Sequence, residues 1–237
     1  NEMTIHYHGT PITPVKKIHA LAGRHFCVSH SAPIRGSECH LYAEICHHIG
    51  QSVMLDNGAF SKWTKGSTTN WNGYYGWTEK WLAYPTTWAV IPDVIDGSEE
   101  ENDALLDCWP HGKNQAAPVW HLDESIERLQ RLIGAGYTKI CIGSSGQYKQ
   151  VGSVQWHTKM IKTMNAICVN DQVPVWLHML RGLSLSGSQY PFASLDSTDI
   201  ARNHNERNTS LSSQAERWDR VQCSPYWEYQ MEQADLL

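Results

Sequence analysis

The chain has 237 residues and a mass of 26.9 kDa, the size of one medium domain with a sizeable buried core, so a single domain over residues 1–237 is expected. Its net charge of −5 argues against an indiscriminate nucleic-acid binder, which would present a basic footprint; any nucleic-acid surface has to be local. With 41% hydrophobic and 18% charged residues the composition is that of a globular protein, and no apolar run approaches a membrane span.

Asn1 to Pro14 lacks the basic-then-apolar order of a signal peptide, so export is not expected. The seven cysteines, at 27, 39, 46, 108, 141, 168 and 223, contain no Cys-x-x-Cys pair. That spacing suggests neither a disulfide framework nor structural zinc, and it fits free thiols in a reducing cytoplasm.

Short β-branched or apolar runs recur with helix-like segments between them, the pattern of a parallel sheet with crossover helices. In chain order, strands are expected over Met3–His8, His25–His30, Ser52–Leu55, Trp88–Ile91, Pro118–His121, Lys139–Ile142, Val173–His178 and Phe192–Leu195. Eight is the number that closes an α/β (β/α)₈ TIM barrel. Between the strands, 61–76 is rich in Gly, Ser, Thr and Asn and reads as a long loop, and Glu99–Trp109 reads as a helix. Glu124–Ile133 places Ile126, Leu129, Leu132 and Ile133 on one helical face, with Asp123 as N-cap and Gly134 or Gly136 as stop. Val154–Val169 carries Met160, Ile161, Met164, Ile167 and Cys168 at helical spacing. The tail is polar from Asn203 through Ser213 and helix-like from Gln214 onward. Eleven Trp and ten Tyr against three Phe is an unusual balance. Those in Trp71–Trp81 sit beside Gly and polar residues, where rings stack on bases or, more commonly, anchor loops and cores.

On this strand assignment Asp56, Asp93, His121, Gly143 with Ser144, His178 and Asp196 fall at strand C-terminal ends. That rim is the active-site face of a barrel. Asp also begins turns, but so many polar residues on one rim favour a site. Asp56 and Asp196 each end an apolar run, in Leu-Asp-Asn-Gly-Ala-Phe (55–60) and Ala-Ser-Leu-Asp-Ser-Thr (193–198). Asp196, beside Ser197 and Thr198, suits an ionised nucleophile, whereas Asp56, followed by Gly58, Ala59 and Phe60, suits a proton carrier with a raised pKa. Such a pair cleaves a glycosidic bond with retention: one carboxylate attacks the anomeric carbon and the other manages the leaving group's proton. Among the thirteen histidines, His47-His48 and His6-x-His8 lack metal-ligand spacing and a third ligand, so no metal is expected. His121 and His178 either bind substrate or are hydrogen-bonded at strand ends.

At these strings the chain resembles the tRNA-guanine transglycosylase superfamily, especially its DNA-modifying branch, the 7-deazaguanine DNA transglycosylases of phages and bacterial modification islands. Asp-Asn-Gly-Ala-Phe is similar to the family's Asp-Ser-Gly-Gly-Phe-type motif, which implies Asp56 as acid/base and Phe60 as a cover for the base. Ile-Pro-Asp-Val-Ile-Asp (91–96) resembles the base-reading segment, with Asp93 foremost and Asp96 next. Ile-Gly-Ser-Ser-Gly (142–146) and Leu-His-Met-Leu-Arg-Gly (177–182) resemble strand ends that contact the base, giving Gly143, Ser144 and Met179 as pocket residues. Leu-Asp-Ser-Thr-Asp-Ile-Ala-Arg (195–202) is similar to the nucleophile motif, with Asp196 as nucleophile and Arg202 six residues on.

The resemblance runs in the family's order over about residues 50–205, roughly two-thirds of the chain. It implies base exchange in which guanine in a nucleic acid leaves and a 7-deazaguanine, such as the 7-cyano compound, enters, with no cofactor. Arg202 would meet a phosphate, helped by Arg207, Lys62 and Lys65, although a surface lysine is more commonly just solvated. The tRNA enzymes carry a C-terminal zinc site of three Cys and a His, whereas Cys223 and His204 are the only Cys and His past the nucleophile motif here. That departure implies a barrel without the zinc subdomain and DNA, rather than tRNA, as partner. A homodimer is common among such relatives. The rival expectations are a tRNA substrate, a nucleosidase or glycosidase on the same barrel, and a non-catalytic nucleic-acid-binding relative.

Overall fold

The computed structural model describes residues 3–31, 38–64, with side chains through 61, and 69–232. Nine strands, β1 Ile5–Gly9, β2 His25–Ser29, β3 Ser52–Asp56, β4 Thr87–Val90, β5 Ala116–Ala117, β6 Val119–His121, β7 Lys139–Gly143, β8 Trp176–Met179 and β9 Ser194–Ser197, form one sheet. Every pairing is parallel, in the order β5-β4-β3-β2-β1-β9-β8-β7-β6. The two ends of that order, β5 and β6, are consecutive pieces of one stave, split where Pro118 has no N–H to give the ladder. Ala117 O accepts from Ile91 N–H on the β4 side at 2.9 Å, and Pro118 O accepts from Cys141 N–H of β7 at 2.9 Å. The segment therefore joins both edges, and eight staves close into the expected α/β (β/α)₈ barrel.

The crossovers carry α1 Glu38–Ile49, α2 Ala59–Thr64, α3 Asn72–Trp81, α4 Glu99–Cys108, α5 Ile126–Gly134, α6 Val154–Ile167, α7 Asp199–Asn203 and α8 Leu211–Asp219. Among the described residues no helix is long and apolar enough to cross a membrane.

Side chains alternate between the two faces of each strand. Tyr7, Cys27, Met54, Trp88, Val90, Ala117, Val119 and Cys141 fill the barrel interior as one cluster. Their neighbours point outward. Phe26, Val28, Val53, Leu55 and Ala89 pack with Tyr42, Tyr74, Trp77 and Trp81 of α1 and α3. Trp120, Ile140, Ile142, Leu177, Met179 and Leu195 pack with Leu129, Leu132, Trp156, Met160 and Met164 of α5 and α6. Inside, the Tyr7 hydroxyl accepts from Ser52 Oγ and from Trp88 Nε1–H, each at 3.0 Å, tying three staves together.

Several local expectations are corrected. The stretch 61–76 is no long loop, because α2 continues through it to Thr64 and α3 begins at Asn72. Tyr74, Trp77 and Trp81 recur at helical spacing and are core residues, a signal masked by the Gly and Asn around them. The N-cap of α5 is Ser125, whose Oγ accepts from Arg128 N–H, and Asp123 instead accepts from Ser145 Oγ. Gly136, at φ +88°, supplies the left-handed stop just beyond that helix. Helix α8 starts earlier than expected because Ser210 caps it, and it ends at Asp219, after which Cys223 and Trp227 are buried without helix. Strand β1 starts late, leaving Met3 71% exposed.

Tyr7→Phe leaves Trp88 Nε1–H and Ser52 Oγ without their buried acceptor. The expected loss is about 1–3 kcal/mol of unfolding free energy in urea titration. A loss under about 0.5 kcal/mol would show that this tie is not structural.

Candidate active site

A cavity of about 250 Å³ opens at the C-terminal ends of the strands, a little under the range of about 300–1,000 Å³ usual for small-molecule sites. It suits a small molecule better than an extended ligand.

Asp196 faces it because Leu195, its neighbour on β9, takes the outward position. Beneath it lies a chain of hydrogen bonds that ends on the carboxylate, which only accepts when ionised. Trp176 Nε1–H donates to Ser194 Oγ at 2.7 Å, Ser194 Oγ is bonded to His178 Nδ1 at 2.7 Å, and His178 Nε2–H donates to Asp196 Oδ1 at 2.8 Å. Arg181 N–H donates to the same Oδ1 at 3.0 Å. Asp196 is thus held as an acceptor from two sides.

Asp56 ends β3, separated along the rim from β9 by β2 and β1. Its Oδ2 accepts from Ser29 Oγ at 3.0 Å and from Gly58 N–H at 3.2 Å. Burial, aided by repulsion from Asp196 and Asp93, outweighs those two bonds and pushes its carboxyl up to about 6. Gly58 turns at φ +74°, and a Cβ there would stand 2.9 Å from His30 O, so glycine is needed to aim this N–H.

Asn57 Nδ2 donates to Ile91 O at 2.9 Å and to Asp93 Oδ1 at 2.8 Å, while Asp93 Oδ2 accepts from His121 Nε2 at 2.7 Å. Burial pulls the His121 imidazole down, but Asp93 and Glu124 together raise it to about 10, so it is an imidazolium at neutral pH. Glu124 Oε1 in turn accepts from Arg128 at 3.0 Å, and Arg128 Nε donates to Asp103 at 3.0 Å. A chain of alternating charge therefore runs from the cavity wall out to α4. Gly143 leaves room for it, since a Cβ there would lie 3.1 Å from His121 Cδ2. Ser144 Oγ accepts from Trp156 Nε1–H at 3.0 Å.

Phe60, on α2, lines the mouth and is 41% exposed. The Arg181 guanidinium sits 4.2 Å over its ring, and Arg202, exposed on α7, lines the mouth as well.

Asp56, Phe60, Asp93, His121, Gly143, Ser144, Asp196 and Arg202 all line this one cavity. Four other expected site residues are not part of its lining. Asp96 is exposed on the next turn at φ +60°, its Oδ1 3.3 Å from Gly146 N–H. His178 lies fully buried beneath Asp196, a support and not a contact. Met179 points to the outer core, because one step along a strand reverses the face, and Leu180 lines the cavity instead. Arg207 is committed to Asp199 at 2.6 and 2.8 Å, which holds that carboxyl down at about 2. Lys65 and the side chain of Lys62 lie outside the described residues. Sequence reading missed Ser29, Asn57, Leu180 and Arg181. Asn57 and Arg181 stand inside the quoted strings, whereas Ser29 meets Asp56 only through the β2–β3 register.

No protein-family model matches the chain, and no curated protein is significantly similar to it. Among solved structures it is similar to tryptophan synthase from Mycobacterium tuberculosis. The open form with BRD0059 bound is 12% identical, with 92% of each chain covered and a TM-score of 0.52. The aminoacrylate- and BRD0059-bound form is 12% identical over 94% of each chain, TM-score 0.54. The structure in space group F222 is 11% identical over 92% of each chain, TM-score 0.53. At such identity the likeness is one of fold: these enzyme chains share the barrel, and nothing about substrate follows. The transglycosylase resemblance therefore rests on the motifs alone.

Asp56→Asn tests the electrostatics without any substrate. Well below about 3.8 the acid is neutral folded and unfolded alike; between about 3.8 and about 6 the unfolded chain ionises while the folded acid keeps its proton, so stability falls across that window and is fully lost above it. The variant escapes that loss, so it should gain on the order of 1–3 kcal/mol over the parent at pH 7.5 and nothing at pH 3.5, by urea unfolding. A gain independent of pH would refute the shift.

Proposed function

We propose that this chain is a base-exchange transglycosylase that replaces guanine in DNA with a 7-deazaguanine, such as the 7-cyano compound, through a covalent Asp196–glycosyl intermediate. The observation that carries this reading is the contrast between two carboxylates on one cavity. Asp196 is fixed as an acceptor by His178 and Arg181, and Asp56 is pushed up to about 6, into the range of a proton carrier.

In the first half of the reaction an Asp196 oxygen attacks C1′ of the target nucleotide, the C1′–N9 bond breaks, and the electron pair leaves with guanine. The Asp56 proton quenches that charge. In the second half a 7-deazaguanine enters, Asp56 takes its ring N–H proton, and the ring nitrogen attacks C1′ while the Asp196–C1′ bond breaks. Each site ends as it began. The carboxylates are coupled so as to favour this order: the negative charge of Asp196 helps raise Asp56, and esterification of Asp196 removes that charge. Asp56 thus holds its proton more readily when guanine must leave and is more fully ionised, ready to accept a proton, when its replacement must be deprotonated.

The base has to leave the stack to be reached, and Phe60 and Leu180 supply apolar walls for it. Asp93 spends one lone pair of each oxygen on Asn57 and His121 and keeps acceptor capacity toward a guanine N1–H and exocyclic amine. Arg202 at the mouth is suited to a phosphate. The DNA reading is supported by the two residues that would have to start a zinc site. Cys223 is buried with its Sγ 3.6 Å from Leu185 O, and His204 binds Ile200 O and Thr13 O. The seven free thiols fit work in a reducing cytoplasm, a phage-infected host included.

The deciding experiment offers radiolabelled 7-cyano-7-deazaguanine with duplex DNA and, side by side, with tRNA. Label should enter DNA, with Asp196→Ala reducing incorporation by at least about a thousandfold and the parent showing a sugar adduct on Asp196 by mass spectrometry. Label in tRNA alone would move the substrate, base loss without incorporation would make the protein a hydrolase, and DNA binding with no adduct would make it a binding protein.

Measured separately, the two halves should respond oppositely to pH. Adduct formation is expected to slow as pH rises through about 6, and capture of the incoming base to slow as pH falls, with its inflection at a lower pH than the first. Identical profiles would remove Asp56 from the proton-carrying role.

A further inference from the structure

Arg181, a cavity-lining residue, touches three parts of the site. Its N–H holds Asp196 Oδ1, its guanidinium covers the Phe60 ring at 4.2 Å, and its Nη2 reaches toward Ser144 O at 3.4 Å. A guanidinium at that distance is a cation–π contact, and a base stacking on Phe60 from the cavity needs the same face. Arg181 and a bound base are therefore competitors for Phe60.

The guanidinium is held loosely: the residue is exposed, and among the described residues it makes no ion pair, although Asp196, Asp56 and Asp93 act on its charge. The Ser144 contact is long. Its backbone makes a tight turn: φ is +52°, and at Gly182 a Cβ would stand 2.7 Å from Met179 Cγ and 2.9 Å from Met179 O. The grip on Asp196 belongs to the backbone N–H and does not require the guanidinium to stay over Phe60. A phosphate offers what the resting position lacks, a paired anion with fork geometry. Since three carboxylates repel a polyanion from this mouth, the strand must be met there by cations, and Arg181 and Arg202 line it on either side of Asp196 along the chain.

We propose that Arg181 is a substrate-displaced latch: its guanidinium covers Phe60 until a nucleic-acid phosphate draws it away and the target base takes its place. This rests on the transglycosylase reading and adds an order to it. A free 7-deazaguanine must break the Phe60 contact with nothing given in return, whereas a nucleotide within a strand brings its own phosphate. The latch keeps the incoming base out until DNA is attached to Asp196 and Arg181 already lies on the strand.

Binding to Asp196→Asn, which cannot form the adduct, tests this without turnover. Adding Arg181→Asn keeps the N–H and suits a positive φ. Free 7-cyano-7-deazaguanine should bind about 2- to 30-fold more tightly by calorimetry, the strength of a cation–π contact. A single-stranded guanine-containing oligonucleotide should bind more weakly, with a plot of log K against log salt shallower by about one phosphate contact. Arg181→Lys, which keeps the charge but stacks poorly, should tighten the free base while keeping the parent salt slope, and it serves as the check on folding. If the free base binds no tighter in Arg181→Asn, or if the salt slope stays unchanged, the latch is overturned. If both shifts appear while DNA exchange fails, the latch stands and the transglycosylase reading falls.

Discussion

The two-residue alternation of a β-strand, imposed eight times around a closed barrel, is the constraint on which the cavity depends. It sends Leu195 into the helix-packed shell and Asp196 into the lumen, and likewise Leu55 outward and Asp56 inward. Closure adds what alternation alone does not, because an open sheet would leave Asp56 and Asp196 on separate staves with no shared enclosure. Here closure passes through Pro118, where one stave changes partner from β4 to β7. The lumen below is packed with Tyr7, Met54, Trp88 and their neighbours, so it is a floor and not a channel.

On that floor, charge is the dominant problem. Three carboxylates share one small cavity, and each is handled differently. Asp93 is paired with an imidazolium backed by Glu124 and Arg128, Asp196 is held by a chain of hydrogen bonds from Trp176 plus a backbone N–H, and Asp56, left buried and beside the other two acids, has its pKa raised. Buried ions persist where they are paired and hydrogen-bonded; one left short shifts its protonation instead. The difference in surroundings gives two chemically similar side chains unlike proton affinities and hydrogen-bond partners.

Much of this was legible in the sequence. The eight apolar runs marked the staves to within a few residues, and the acids that end them were already candidates for the rim. Met179 shows the limit. A shift of one residue at a strand end exchanges cavity for core, and local sequence patterns place such ends only to within a few residues. Arg207 shows another, since nothing about an exposed-looking arginine discloses that Asp199 already holds it. The aromatic stretch over α3 failed for a third reason: its Gly and Asn residues outweighed a helical spacing of Tyr74, Trp77 and Trp81 that only packing against α1 and the barrel makes decisive.

Sequence by itself determined the parallel α/β architecture and the placing of Asp56 and Asp196 at strand ends, because hydrophobic period and strand-end chemistry are local properties written in adjacent residues. Only the tertiary structure decided that these two acids share one cavity, that His178 stands under Asp196 and does not line the pocket, and that Arg181 lies across Phe60. Those relations join residues far apart in the chain. Their strength comes from register, desolvation and charge coupling, which exist only once the barrel has closed.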